Sequence, residues 1–312
     1  MSALKLKITL FFSAALLLTP SFLTAAETGT IGGQVLKLGA HSRGIGQGEA
    51  FAAVSDDVSA LYFNPAGLAQ LTRPQAAVTH MNRIAGIRSV DMGFAFPLEG
   101  EAGVLGAAAY YLYTHDRERD TDGNEIGRFR SYNSYIILGY ARKITPELYA
   151  GVNAKFLLNK IYDYRTSNAG FDAGLLYSHP GGLRAGLNIQ NIDAGVKLRS
   201  DDSLESWPLN IKAGVSYTFS GPGLTLAADI NKPEDTDMNF SAGAEYILLD
   251  SDIFFALRTG YKYRDENSTL GGLAGLAGGF GAGYDRYRLD YAYTPWGDLG
   301  NTLHRISLLT EF

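Results

Sequence analysis

Few residues of this chain stand at spacings that perform chemistry. Asp56 and Asp57 are adjacent carboxylates, the arrangement of an acid pair or a cation site, but they follow Ser55 and precede Val58, Ala60, Leu61, Tyr62 and Phe63. That is the pattern of a helix start, where side-chain oxygens accept hydrogen bonds from free backbone N–H groups and negative charge suits the positive end. The five histidines, His41, His80, His115, His179 and His304, are dispersed, and none has a metal-ligand spacing such as His-Glu-x-x-His. His80 or His304 near a serine would be the nearest approach to a nucleophile and its base, and no motif supports either. Gly44, Gly46 and Gly48 imitate part of a dinucleotide fingerprint, yet no strand precedes them and no βαβ unit follows. With no cysteine in the chain, thiolate metal sites and disulfides are excluded. The sequence predicts no catalytic residue, no metal and no cofactor, and the chain reads as a non-enzyme.

The charge balance narrows the partners. A net charge of -5 with scattered Lys and Arg and no basic tract argues against nucleic acid. At the N-terminus, Lys5 and Lys7 precede an apolar run from Ile8 to Leu18, followed by the small residues Thr24, Ala25 and Ala26. This predicts a secretory signal peptide over residues 1–26, cleaved after Ala26, with the mature chain starting at Glu27. Beyond it no run of eighteen apolar residues recurs, so helical membrane spans are excluded by length.

Residues 74–312 read as strand after strand. Leu209, Ile211, Ala213, Val215, Tyr217 and Phe219 alternate with Asn210, Lys212, Gly214, Ser216 and Thr218, and the segments 183–190 and 252–264 alternate in the same way. A soluble sandwich would alternate too, but three features favour a membrane. The segments are roughly 9–11 residues long, as a tilted membrane-crossing strand needs. Their polar face carries Arg184, Lys212, Asp229, Glu245, Arg258 and Asp290, which suit a wet lumen better than a packed core. Short connections, such as 143–146 and 285–286, alternate with longer polar ones at 115–128, 160–168, 191–208, 232–237, 265–272 and 295–301. The fold class expected is therefore all-β: an antiparallel transmembrane β-barrel of about fourteen strands behind a small N-terminal helical plug. Gly103–Thr114 and Ser131–Arg142 are nearly apolar on both faces and are expected to contact the plug or an apolar lumenal pocket. The Gly- and Ala-rich stretch 270–284 reads either as a strand or as a flexible loop. Tyr217, Tyr246, Tyr261, Tyr263 and Tyr293 read as interfacial girdle residues.

The plug is expected over residues 27–73. A helix starting at Ser55–Asp57 should be broken by Pro65, with Asn64 capping a second short helix and Gly67 permitting a left-handed stop. Phe51, Leu61, Tyr62 and Phe63 are candidate contacts for a hydrophobic ligand, or the small core of the plug itself.

Here a resemblance enters. The stretch LGAHSRGIGQGEAFAAVSDDVSALYFNPAGLAQL, Leu38 to Leu71, resembles the N-terminal signature of the PorV/PorQ group, a branch similar to the FadL family of outer-membrane transporters. The resemblance implies a fourteen-stranded barrel plugged by a hatch carrying an Asn-Pro-Ala motif, matched by Asn64, Pro65 and Ala66 with Gly67 beside them. It also implies that Phe312, at the end of an outward set Ile306, Leu308 and Thr310, is the signal read by the barrel-assembly machinery. Three functions stay open: passive passage of small hydrophobic, fatty-acid-like compounds across a Gram-negative outer membrane, gated by the plug; a PorV-like role binding or shuttling secreted proteins for a surface secretion system; and a general porin. Outer-membrane lipid is a partner in all three.

Overall fold

The computed structural model describes residues 33–82, 87–161, 164–199, 207–221, 223–250, 252–264, 267–271, 273–295 and 302–312. The expected signal peptide and the first residues of the expected plug lie outside them. Fourteen strands run through the described residues. The first seven are β1 Gln75–Asn82, β2 Arg88–Pro97, β3 Val104–Arg119, β4 Glu125–Lys143, β5 Leu148–Ile161, β6 Tyr164–Ser178 and β7 Leu183–Arg199. The others are β8 Asn210–Thr218, β9 Leu224–Pro233, β10 Asn239–Asp250, β11 Ile253–Tyr263, β12 Leu276–Tyr284, β13 Tyr287–Pro295 and β14 Thr302–Glu311. Each pairs antiparallel with its chain neighbours, and β1 closes on β14 from Gln75 opposite Glu311 to Asn82 opposite His304. Closure gives every strand a paired neighbour on both sides, as a sheet facing lipid requires.

Alternation sorts the side chains. Met92, Phe94 and Phe96 on β2, Val215 and Tyr217 on β8, Leu257 on β11 and Ile306 and Leu308 on β14 face out and are exposed, while Asp91, Lys212, Arg258 and Arg305 between them face in and are buried. The outward set expected for the last strand holds, with Phe312 exposed beyond it and its N–H donated to the carbonyl of Pro74 at 3.0 Å. The five tyrosines read as girdle residues are likewise exposed on the outer face. The stretch 270–284 yields β12, and the two-residue turn from Tyr284 to Tyr287 uses Asp285 at φ 54.

On the opposite rim the structure corrects the expected loops. Much of 115–128, 160–168 and 191–208 is strand: β3 runs to Arg119, β4 starts at Glu125, and β7 runs to Arg199. Strands β3 to β7 are 16, 19, 14, 15 and 17 residues long, against 8 to 12 for the rest, so one side of the wall stands taller. The extensions of β3 and β4 carry polar residues on both faces, and so read as loop in sequence. Their ladders are held by pairs such as Arg117–Glu125 and by Arg130 over the rings of Tyr111 and Tyr113.

Residues 33–73 lie inside the barrel. They form short turns of helix, Gln34–Lys37, Ser42–Gly46, Ala60–Phe63 and Pro65–Gln70, and touch the wall from β1 to β14. The helix expected from Ser55–Asp57 starts later, at Ala60, because Asp57 Oδ1 takes the Ser59 N–H at 2.9 Å and the Gln75 side chain of β1 takes the Val58 N–H at 2.9 Å. Asn64 does cap the second helix, with Pro65 at its first position. Gly67 is not a left-handed stop. It lies inside that helix, where a methyl group would meet the Ser55 carbonyl oxygen at 2.1 Å, so space and not handedness requires glycine.

The same demand recurs around the wall. A methyl group on Gly151 would lie 2.4 Å from the Pro65 carbonyl carbon, on Gly186 2.2 Å from the Ala52 oxygen, and on Gly260 2.2 Å from the Gln47 carbonyl carbon. These glycines of β5, β7 and β11 let the inner backbone press directly on the strands. Gly260→Ala should therefore destabilise the protein by about 1–3 kcal/mol through overpacking. Gly278→Ala, whose methyl would meet nothing nearer than 4.0 Å, should leave the thermal midpoint in detergent unchanged.

Candidate functional site

The inner segment is divided by chemistry. Its second half is apolar where it meets β3 to β5. Leu61 and Leu68 are fully buried against Gly106 and Gly139, Tyr62 meets Tyr135 edge-on at 6.2 Å, and Tyr135 stacks on Tyr110 at 5.1 Å. This accounts for the two apolar faces of the 103–142 region: one faces outward and the other packs on the segment. The three carbonyls at the end of the helix Ala60–Phe63 have no helical partner, and wall amides supply one to each. Asn153 Nδ2 donates to the Leu61 oxygen at 2.9 Å, Gln190 Nε2 to Tyr62 at 2.8 Å, and Asn188 Nδ2 to Phe63 at 2.8 Å. Asn64 completes the anchorage: its Nδ2 donates to the carbonyls of Ala52 and Leu175 at 2.9 and 3.1 Å, and its Oδ1 accepts the Ala66 N–H at 3.2 Å. The motif residues Asn64, Pro65, Ala66 and Gly67 are thus all buried and brought together against β6 and Ser55.

The first half of the segment is held by charge. Arg43 donates to both oxygens of Glu245 at 2.8 and 2.9 Å, to Asp57 at 2.9 Å, and to Asp56. Glu245 also accepts from Arg258 at 2.6 Å, Arg258 reaches Asp290 at 2.7 Å, and Arg288 joins Asp290 and Asp57 at 2.8 and 2.9 Å. Asp56 and Asp57 therefore bind an arginine of the same segment, and Asp57 in addition accepts the Ser59 N–H just ahead of the helix Ala60–Phe63, as a helix-start residue does. Burial pushes the Asp57 carboxyl up, but the guanidinium groups of Arg43 and Arg288 outweigh it and hold the group well below the usual carboxylate range. On β9, Asp229 accepts the N–H groups of Phe51 and Ala52, each at 2.9 Å. The inward charges read as facing a wet lumen are instead largely buried and bonded: every one of Asp229, Glu245, Arg258 and Asp290 is 4% exposed or less. His41, at φ 63, sits 3.3 Å from Asp91 on β2.

Above this packed zone, at the rim of the long connections, a cavity of about 610 Å³ is floored by the inner segment. Of the four candidate ligand contacts, Tyr62 and Phe63 line it, whereas Phe51 and Leu61 are wholly buried, with Phe51 5.0 Å from Phe63 in the segment's own core. Leu36, Leu38, Ile45, Leu276 and Leu303 give the cavity an apolar side. Its other side was not legible in the sequence. Lys155, Lys212, Lys262 and Arg264 come from three different strands and the end of one, together with amides such as Asn210 and Asn231. Glu49 of the inner segment pairs with Lys262 and Arg264. Burial pushes its carboxyl up, yet the charges of Lys262, Arg264 and Lys212 bring it down to about 2. Among the described residues no group of His, Cys, Asp and Glu could hold a metal ion.

No protein-family model matches the chain, and no curated protein matches it in sequence. Solved structures do match in fold. The CymD monoaromatic hydrocarbon channel superposes with a TM-score of 0.58 at 14% identity, covering 88% of this chain and 98% of that one. A Pseudomonas aeruginosa FadL homologue gives 0.56 at 12% identity, with coverage of 88% and 98%. The Pseudomonas putida toluene transporter TodX gives 0.50 at 13% identity, with coverage of 92% and 99%. The chain shares the fold of these channels.

Two outcomes follow from the site. Glu245→Gln leaves Arg43 and Arg258 facing an amide, and should cost about 3–5 kcal/mol in thermal or chemical unfolding, as breaking a buried pair does. The carboxyls of Glu49 and Asp57 are depressed in the fold, so their contribution is complete above their ordinary values and is lost as pH falls. The melting temperature should therefore be insensitive to these groups at neutral pH and drop as pH is lowered from 4.5 towards 2, the span of the Glu49 shift.

Proposed function

We propose that the protein is an outer-membrane channel of a Gram-negative-type cell, for passive passage of small hydrophobic compounds of fatty-acid-like or aromatic kind. In this reading residues 1–26 are the export signal, 27–73 the plug and 74–312 the barrel. The apolar outer face supports the compartment, since such a surface is stable only in lipid. Phe312, exposed just beyond β14, would be the residue that assembly machinery reads.

The observation that carries the reading is the cavity floored by the inner segment and part-lined by leucines, in a fold shared with the CymD monoaromatic hydrocarbon channel. A hydrophobic solute would enter from the long-connection rim and rest on Tyr62 and Phe63. It would then pass only when the segment around Asn64–Gly67 shifts. Each CH₂ kept out of water contributes roughly 0.8 kcal/mol, so the leucine side of the cavity is the side such a solute would use. A general porin is less well supported, because residues 33–73 occupy the space a water-filled pore would need.

A second reading, a PorV-like barrel that binds exported proteins, is favoured by the ion-pair network. Interlocked charges that run from Arg43 and Asp57 through the four wall residues Glu245, Arg258, Asp290 and Arg288 suit a permanent core better than a gate. The tall side of the wall would then be the docking rim.

One double variant separates the two. Ser42 Oγ and Ser307 Oγ lie 2.8 Å apart, joining the segment to β14, in a chain with no cysteine. Ser42→Cys with Ser307→Cys should form a disulfide that fixes the plug. Cells carrying it should take up labelled toluene or octanoate only after reduction. Equal uptake in both redox states would refute gating by the plug, and no uptake even by wild type would favour the protein-binding reading.

A further inference from the structure

Along β3 and β4 the outward side chains change character in a fixed order. Leu105, Ile136 and Leu138 are exposed and aliphatic; towards the long-connection rim follow Tyr111, Tyr113 and Tyr132, and beyond them His115, Arg117, Arg128 and Arg130. Register sets the last four side by side, His115 opposite Arg130 and Arg117 opposite Arg128. The flanking strands widen the band, with Arg88 of β2 opposite Tyr113 and Lys160 of β5 opposite Tyr132, each at an outward position. Ring contacts tie the rows into one surface. Tyr111 lies 5.4 Å from Tyr113 and 5.8 Å from Tyr132, and the Arg130 guanidinium sits 5.3 and 4.7 Å from the ring centroids of Tyr111 and Tyr113.

This band has little acid to answer it. Among the described residues Glu125 is the carboxylate that meets it, pairing with Arg117 and Arg128 at 2.9 and 3.1 Å, and those two arginine side chains remain 61% and 75% exposed. Glu118 alternates to the inner face, and Asp120 stands farther on, in the turn, where it accepts the N–H groups of Asp122 and Asn124 at 3.0 and 2.8 Å. The opposite side of the barrel differs. On β10 to β14 the outward side chains towards the same rim include Phe240, Tyr261, Tyr263, Tyr293 and His304, with no arginine among the described residues. The arginines are therefore confined to the tall side of the wall, where β3 and β4 are 16 and 19 residues long.

We propose that this band binds the phosphate of a phosphorylated lipid in the outer leaflet, with Arg128 and Arg130 on the phosphate and Tyr111 and Tyr132 beside the start of its acyl chains. Aliphatic, tyrosine and arginine rows repeat the order of a leaflet: acyl chains, headgroup boundary, phosphate. The long connections mark the outer side, and a guanidinium presents a planar fork of donors that matches phosphate oxygens. A free anion would use the arginines alone, whereas a lipid uses all three rows. The inference rests on the outer-membrane placement and not on passage through the barrel, so it stands with either reading of the interior.

The test is native mass spectrometry of the detergent-purified full-length protein titrated with dioleoyl phosphatidate or with zwitterionic dioleoyl phosphatidylcholine. Wild type should hold phosphatidate about tenfold more tightly than phosphatidylcholine, and Arg128→Gln with Arg130→Gln should weaken phosphatidate about tenfold. Arg128→Gln alone should weaken it about threefold, and this change of a largely exposed side chain keeps the test decisive if taking Arg130 off the tyrosine rings disturbs folding. Arg142→Gln with Arg286→Gln removes the same charge from exposed positions at the short-turn rim and should leave the affinity unchanged. Inorganic phosphate in excess should not release the lipid. Phosphatidate affinity unmoved by either Arg128 variant, an equal loss in the short-turn pair, or release by inorganic phosphate would each overturn the proposal.

Discussion

A charge taken out of water must find an opposite charge or a set of hydrogen bonds, and that constraint organises the whole interior. A closed sheet whose outer face is apolar has only its inner face on which to place polar residues, and here that face carries Asp91, Lys155, Asp172, Lys212, Asp229, Glu245, Arg258 and Asp290. All eight are buried. Some are answered within the wall, as Lys155 is by Asp172 at 2.9 Å and Asp290 by Arg258 at 2.7 Å; others are met by a segment that contributes no strand, Asp91 by His41, Glu245 by Arg43 and Asp229 by the N–H groups of Phe51 and Ala52. Remove the segment and both the wall's charges and the segment's own free carbonyls lose their partners. Wall and segment are two halves of one hydrogen-bonding scheme.

The segregation of that scheme has a mechanical meaning. On the β3 to β5 side the segment is seated by close packing of Leu61, Leu68 and three tyrosines, contacts that weaken gradually with displacement. On the β10 to β14 side it is seated by Arg43 and its acids, contacts whose strength depends on direction and on the absence of water. Motion of the segment therefore begins most easily where water already reaches, at the cavity edge near Glu49 and Lys262, and is resisted most by the dry knot of Glu245, Arg258 and Asp290.

Much of this was legible in the sequence. Period-two alternation gave the strands, their number and, at β14, even the outward set, because a pleated strand in lipid has only two environments and the residues report them directly. Asn64 at a helix junction followed from local capping rules and is where those rules place it. What failed did so for two reasons. The extensions of β3 and β4 carry polar residues on both faces, so polarity no longer marks a face. The ion pairs of Asp56 and Asp57 were missed because their partner Arg43 is local but Arg43's other partner, Glu245, is 202 residues away, and nothing in a helix-start pattern announces a distant wall. The cationic cluster was invisible for the same reason: Lys155, Lys212 and Lys262 stand in unremarkable strand positions, and only closure brings them together.

The closure of β1 on β14 bears finally on how such an object can be made. The side chain of Gln75 is hydrogen-bonded to Glu311, 236 residues later, so the seam that seals the wall is also its most distant contact in sequence. The partners of the segment's apolar half, β3 to β6, lie near it in sequence; those of its charged half, β10 to β14, lie far from it, as Glu245 does at 202 residues from Arg43. Loop-closure entropy thus favours the near contacts first. The segment can first adhere to a partial, curling sheet through Leu61, Leu68 and Asn64, and its arginine is satisfied only as the final strands arrive and the seam closes around it. A chain arrested short of β10 would carry its core already half in place, with Arg43 held by Asp56 and Asp57 alone.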